Sequence, residues 1–317
     1  MINQKKLVSI CIPVLNEIGN IAPLYNRLKI VTDELKDKYD FEFIFTDNHS
    51  DDGTWGILIK YSNLDTRVKA IRFTKNIGFQ ESIFANLNLD TGHAMMQIDA
   101  DLQEPPELIA NFLQEWENGS KIVYGIRASR KENILISSLR KLGYRIISIV
   151  STHQIPVNVG DFRLIDKDVK NLLIKSKVPY PYIRGMIASF EIPSIGISYS
   201  REKRVADKSK FPLRQVFRLG MNGVVNHSSW PLRLPMLFGG IVLGITTSLT
   251  CYKILVKLSD KTTPVIIENI YLFTAFGIGL NAVFLGVIGV YLNRMYLLLK
   301  NEPKYIVEES LNLEIIK

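Results

Sequence analysis

The sequence predicts an α/β fold: a mostly parallel sheet flanked by helices, then an interfacial amphipathic helix and two transmembrane helices. Three observations predict it. Short apolar stretches rich in β-branched and aromatic residues alternate with amphipathic ones over the first 125 residues. Four consecutive strand ends carry polar, carboxylate-rich loops. Two long uncharged runs lie near the C-terminus of the 317-residue chain.

Strands are expected over 7–13, 41–46, 68–73, 94–98 and 122–125, and helices over 20–36, 54–62, 80–90 and 106–118. Ligands of such sheets bind beyond the carboxyl ends of the strands. Those ends carry Pro13-Val14-Leu15-Asn16-Glu17, then Asp47-Asn48-His49-Ser50, then Lys75-Asn76-Ile77-Gly78, then Asp99-Ala100-Asp101. Asp51, Asp52 and Gly53 precede a helix and read as turn and cap residues. Asp47 and Glu17 fall immediately at strand ends and read as functional.

Asp99 and Asp101 carry the most information. Residues i and i+2 of a strand point the same way. Where the strand frays into a loop, two such carboxylates can hold one hard divalent cation, and the cation can neutralise a diphosphate. A second pair, Asp166 and Asp168, reads as the start of a helix instead, with Asp166 as its cap. No glycine-rich dinucleotide or P-loop pattern occurs, and the four histidines lack metal-ligand spacing. Cys11 and Cys251 have no evident disulfide partner, as suits a reducing compartment.

Past the sheet, 134–150 reads as a basic, apolar helix against the membrane. Asp161 and Arg163 stand two apart between Phe162 and Leu164, which argues for a buried segment in which both charges need partners. Residues 211–225 read as an interfacial amphipathic helix. The runs 234–252 and 269–293 hold 19 and 25 residues without a charge, each enough to cross a bilayer core of about 30 Å. The alternative is a pair of buried core helices. Seven Lys and Arg residues against two acidic ones over 201–218 orient the N-terminal part and the tail to the cytoplasm. The same basic stretch beside a membrane favours anionic lipid over nucleic acid. The expected organisation is a cytoplasmic catalytic domain (1–210), a juxtamembrane helix (211–231), a transmembrane hairpin (232–299) and a cytoplasmic tail (300–317), in a multi-pass protein of the plasma membrane.

Read in order, Ile-Pro-Val-Leu-Asn-Glu, Thr-Asp-Asn-His-Ser-Asp-Asp-Gly-Thr, Thr-Lys-Asn-Ile-Gly-Phe-Gln, Asp-Ala-Asp-Leu-Gln-Glu-Pro-Pro-Glu, Gly-Asp-Phe-Arg-Leu and Arg-Glu-Lys-Arg-Val-Ala-Asp-Lys-Ser-Lys-Phe resemble the polyprenyl-phosphate glycosyltransferases of glycosyltransferase family 2. The closest likeness is to bactoprenol glucosyltransferases; dolichol-phosphate mannose synthases are more distant. The resemblance implies a GT-A fold, a nucleotide-sugar donor, Mg²⁺ or Mn²⁺, and inverting transfer to undecaprenyl phosphate in cell-envelope or O-antigen glycan modification, with a homo-oligomer expected. Glucose from UDP-glucose is the expected sugar; GlcNAc, 4-amino-arabinose and mannose are alternatives. It further implies that Pro13, Asn16, Glu17, Asp47 and Asn76 line the nucleotide-sugar pocket, with Asp99 and Gln103 beside the donor and Asp101 on the metal. Asp161 and Arg163 would face the reacting centre, and Arg201, Arg204, Ser209 and Lys210 would meet phosphates. One departure is that Asp47-Asn48-His49-Ser50 stands where the family has Asp-Asp-Gly-Ser, so a histidine replaces a flexible glycine.

The chemistry agrees independently. A phosphate monoester has a second pKa near 6, so a lipid phosphate is largely dianionic at neutral pH and needs no general base. The enzyme must bring two anions together, and Asp161 then reads as positioning Arg163 or the metal, while the family resemblance casts it as the base. Two rival classes are a non-catalytic scaffold or flippase component and a processive synthase. The first has no need of carboxylates at four strand ends, and the second uses more spans.

Overall fold

The computed structural model describes residues 5–128, 159–176, 181–202 and 302–313, the helix Glu268–Lys300, and scattered positions between 235 and 252. The chain runs β1 (Lys6–Val14), α1 (Ile18–Glu34), β2 (Tyr39–Asp47), α2 (Thr54–Leu64), β3 (Val68–Phe73), α3 (Phe79–Leu89) and β4 (Ala94–Gln97). A single 3₁₀ turn, Pro106–Leu108, leads into α4 (Ile109–Glu117), then β5 (Ile122–Arg127), β6 (Val159–Asp166), α5 (Lys167–Lys175), α6 (Ile183–Ser189) and β7 (Ser194–Tyr199). Last come α7 (Glu268–Lys300) and β8 (Val307–Leu311).

The eight strands form one sheet in the order β7-β5-β6-β4-β1-β2-β3-β8. Its centre, β4-β1-β2-β3, is parallel, as alternating strands and helices require. Side-chain alternation gives each strand two apolar faces. Ile10, Ile12, Phe43, Met96 and Phe162 pack against α1, α2 and α4 on one side; Cys11, Ile44, Met95 and Ile165 pack against α3, α5 and α6 on the other. Burying each large side chain contributes about 1.5–3 kcal/mol.

The five expected strands and four expected helices all form, with ends displaced by a few residues. Asp166 caps α5 as expected, accepting from the Asp168 N–H at 2.9 Å. Three strands were not expected. β6 runs antiparallel to both β4 and β5, so the regular alternation stops there. β7 extends the sheet beyond β5. β8 pairs antiparallel with β3 at the far edge.

The chain beyond α7 thus returns to the sheet instead of trailing from it. Tyr305 meets Phe73 edge to face at 5.1 Å. Trp55 Nε1 donates to Glu309 Oε2 at 2.9 Å, and the Asn312 amide donates to the Ser62 and Val68 carbonyls, each at 2.9 Å. These contacts cover an edge that would otherwise expose unpaired backbone groups.

Residues 227–301 form a second compact unit. Within α7, residues 276–300 are long and apolar enough to cross a membrane, and none of that stretch is buried. Leu285 is 67% exposed and Leu299 83%. The run 234–252 lies mostly outside the described residues; the positions described in it are helical, and Phe238 approaches Phe284 of α7 at 6.4 Å.

Candidate active site

Strand register gathers the charged residues. β4 pairs antiparallel with β6 so that Gln97 faces Arg163. Continuing that register sets Asp161 level with Asp99, just past the end of β4. The two expected elements of the reacting centre, far apart in sequence, therefore share one edge of the sheet.

Asp99 is half-buried, and its Oδ1 is sealed from solvent with no hydrogen-bond partner. Burial, then the charges of Glu104, Asp161 and Asp101, push its carboxyl well above the usual range. Asp101 is 7% exposed; its Oδ1 accepts the Gln103 N–H at 3.1 Å, and Arg201 Nη2 lies 3.9 Å from its Oδ2. The intervening backbone is strained: Leu102 sits at φ +59°, a conformation disfavoured for a bulky residue. Gln103 Nε2 donates to the Glu202 carbonyl at 3.3 Å and Glu202 N–H returns to the Gln103 carbonyl at 3.1 Å, so residues 201–202 are fastened beside the carboxylates. Arg27 of α1 holds the same segment through Glu202 while forking onto Glu107 at 2.9 and 2.6 Å.

Asp161, 4% exposed, is held between two guanidiniums. Burial would raise its pKa, but the Arg184 and Arg163 guanidiniums outweigh burial and hold it down to about 2. Arg184 Nε and Nη2 reach Oδ1 and Oδ2 at 3.1 and 2.5 Å, and Arg163 Nη2 also donates to Oδ1. Nearby, buried Glu104 accepts from Tyr199 at 3.3 Å and Arg127 at 3.4 Å. A Cβ at Gly160 would stand 2.6 Å from the Arg127 guanidinium, so a larger residue there would displace the end of that side chain.

The residues expected on the nucleoside side lie at the ends of β1, β2 and β3. Pro13 is buried in β1, in register with Thr46 of β2. Asp47 is fully buried, accepts Ser50 N–H at 3.1 Å and lies 3.7 Å from Arg72 Nε. Burial raises its pKa, against the Ser50 hydrogen bonds and Arg72. Asn16 (φ +55°) donates its N–H to Ser50 Oγ at 2.8 Å and accepts from Asp51 N–H at 2.9 Å. Glu17 accepts from Asn20 Nδ2 at 2.6 Å. Exposed Asn76 folds its own loop, accepting from Gly78 N–H at 2.8 Å. Asp52 accepts from Thr54 and Ile18 N–H groups, the turn-and-cap role expected of it. His49 occupies φ +62°, the left-handed conformation that glycine adopts freely. Its Nδ1 donates to the Phe73 carbonyl at 3.0 Å, and Glu308 of the tail stands 3.3 Å away.

Arg204, Ser209 and Lys210, and the helices expected over 134–150 and 211–225, lie outside the described residues. Sequence reasoning missed Glu104, Arg127, Tyr199 and Arg184. Arg127 had a signal, since it ends a strand on the ligand side. Arg184 had none, because its seven-residue helix carries no readable pattern.

The residues fit a divalent cation in part. Asp99 Oδ1 is an orphaned buried oxygen beside Asp101, and mutually repelling carboxylates are relieved by a cation. Among the described residues no group of three His, Cys, Asp or Glu side chains forms a complete cage, so phosphate oxygens and water would supply the other ligands.

Glu81, in the first turn of α3, stands apart from these groups. Burial lifts its carboxyl from the ordinary 4.5 to about 7, with Lys304 pulling it back. An acid with a raised native pKa contributes stability that is complete below about pH 4.5 and lost as pH rises through about 7. The gap amounts to at most about 3 kcal/mol. Glu81→Gln is therefore expected to raise the melting temperature at pH 8 and flatten its pH dependence between pH 5 and 8. Thermal melts with an unchanged pH profile would contradict this.

Comparison with known proteins bears on the whole chain. The family model described as glycosyl transferase family 2 matches residues 9–173. The uncharacterized glycosyltransferase YkcC of Bacillus subtilis (strain 168) is 35% identical over 308 residues, 96% of this chain and 94% of that one. The bactoprenol glucosyl transferase of Shigella phage SfII is 29% identical over 304 residues, 96% of this chain and 98% of that one. Among solved structures, a mannosyltransferase from Pyrobaculum calidifontis in complex with GDP-Man and Mn²⁺ aligns with a TM-score of 0.46 at 14% identity, covering 90% of this chain and 88% of that one. With the family model spanning most of the sheet and relatives matching nearly end to end, the chain belongs to glycosyl transferase family 2.

Proposed function

We propose that this protein transfers a hexose, glucose from UDP-glucose, to undecaprenyl phosphate with inversion, and that it does so at the cytoplasmic face of the plasma membrane. The observation that carries the reading is the meeting of Asp99 and Asp101 with Arg127, Arg163, Arg184 and Arg201 at one edge of the sheet. Carboxylates suit a cation-bridged diphosphate, and guanidiniums suit a second anion that must approach it. Full-length likeness to a bactoprenol glucosyl transferase supports a lipid-linked acceptor, and the apolar α7 supports membrane attachment.

In this reading an oxygen of the lipid phosphate forms a bond to the sugar C1 as the bond from C1 to the nucleotide diphosphate breaks. The electron pair leaves on the diphosphate. A dianionic acceptor becomes a monoanionic diester and the donor's two charges become three, so no proton is moved. A Mg²⁺ or Mn²⁺ on Asp101 would supply electrostatic stabilisation of the leaving diphosphate. Asp101 holds that position, Arg201 sits across from it, and Asp47, Asn16, Glu17 and Asn76 shape the nucleoside end. Arg204, Ser209 and Lys210 belong with Arg201 as phosphate ligands in this proposal.

Purified protein incubated with undecaprenyl phosphate and radiolabelled UDP-glucose, UDP-GlcNAc, UDP-4-amino-arabinose or GDP-mannose tests it. Label entering the organic phase from UDP-glucose is expected. Label from one of the others alone would change the sugar, and none from any donor would overturn the reading.

A further inference from the structure

Arg163 and Arg184 grip the same carboxylate but are placed differently. Arg163, on β6, is 8% exposed along its side chain and spends its other donors on the Gly160 carbonyl at 3.1 Å and the Asp161 carbonyl at 3.3 Å. Arg184, on α6, is 26% exposed and comes fork-on to both oxygens of Asp161, with Nη1 donating to the Val159 carbonyl at 3.3 Å. Its helix is anchored by Ile183 and Met186 in the core, and Ile183 N–H donates to Gln80 Oε1 of α3 at 3.3 Å. Arg184 is thus a semi-exposed guanidinium on a fixed mount beside Asp161.

We infer that Arg184 is a positioning residue for transfer: its fork fixes Asp161 as a strut between two guanidiniums, so that the carboxylate accepts no proton and the net positive triad faces the anionic acceptor. The inference rests on the function proposed above. Three N–H donors already occupy Asp161, two from Arg184 and one from Arg163. A general base needs a pKa near the working pH, whereas this carboxyl is held down to about 2. The charged groups facing it are Arg163 on β6, Arg184 on α6, Arg127 on β5 and Asp99 beyond β4. A strut also explains why a carboxylate is kept where two anions must meet. Without it, the two neighbouring guanidiniums would repel each other and splay.

The test compares wild type with Arg184→Gln, Arg184→Lys, Asp161→Asn and the double variant Arg184→Gln/Asp161→Asn, by turnover against pH and by thermal melts against pH. Arg184→Gln is expected to lower kcat about ten- to a hundredfold with little change in KM for the donor, and to add a second acid limb to that of the lipid phosphate. Arg184→Lys should restore kcat in part and abolish the extra limb. In melts, freeing Asp161 from its fork raises its native pKa, so Arg184→Gln should destabilise more at pH 7.5 than at pH 4.5, and the double variant should lose that difference. Two results would overturn the inference. One is wild-type kcat and pH profile in Arg184→Gln; the other is an extra acid limb in wild type that Asp161→Asn removes, which would make Asp161 the base. If wild type labels no lipid phosphate, the functional reading falls, and the melts alone decide the clamp: pH-independent destabilisation by Arg184→Gln would overturn it.

Discussion

Asp101→Asn is expected to cut turnover by at least about a hundredfold, the scale of losing a principal electrostatic stabiliser, while the protein stays folded. Asparagine preserves the shape and keeps an oxygen to accept the Gln103 N–H now bound at 3.1 Å. What it removes is the charge. Asp101 stands beside Asp99 and Glu104 in a crowded acidic corner, so losing one negative charge also relieves repulsion there. Melting temperature should therefore hold or rise while activity collapses, a combination that a merely structural aspartate does not give. Chelation with EDTA should reproduce the loss in wild type and add little in the variant. Full activity of Asp101→Asn, or of wild type in EDTA, would contradict the metal role.

Arg201→Ala is expected to cost about ten- to a hundredfold in kcat/KM, equivalent to about 1.5–3 kcal/mol for one charge-assisted contact. Arg201 lies 3.9 Å from Asp101 Oδ2, too long for a strong ion pair, and its Nε is buried with no hydrogen-bond partner. Burial and the neighbouring Arg127 lower its pKa. A guanidinium so placed gains from an anion brought within reach. Lysine at this position should rescue only partly, because an ammonium cannot bond two oxygens in a fork. Assay in detergent removes bulk lipid charge, and wild-type kinetics there would mean that Arg201 reads only the membrane surface.

The sheet's parallel half was legible because each of its strands is a short buried run that ends in a polar loop. β1 to β4 and the helices between them follow from that pattern alone. Beyond β5 the other half was not. β6 alternates Asp161 and Arg163 with Phe162 and Leu164 as a half-buried strand would, yet both charges are buried, and only its antiparallel register shows what they face. β8 became visible only as a partner of β3, since Val307–Leu311 has three polar residues in five and no local signal. At the site the pair Asp99 and Asp101 was readable from spacing, whereas Arg184 was not, because its part depends on a fork that forms across 23 residues of chain. His49 shows the converse. Its type departs from the family pattern, yet its backbone takes the left-handed turn that the pattern's glycine serves.

The central claim is that a nucleotide diphosphate is held through a cation on Asp101. Calorimetric titration of UDP into the full-length protein in detergent tests it most directly, with Mn²⁺, with EDTA, and with Asp101→Asn in Mn²⁺. The account predicts binding in the first case and at least about tenfold weaker binding in the other two, the loss of one charge-mediated contact of about 1.4 kcal/mol or more. Equal affinity in all three would contradict it.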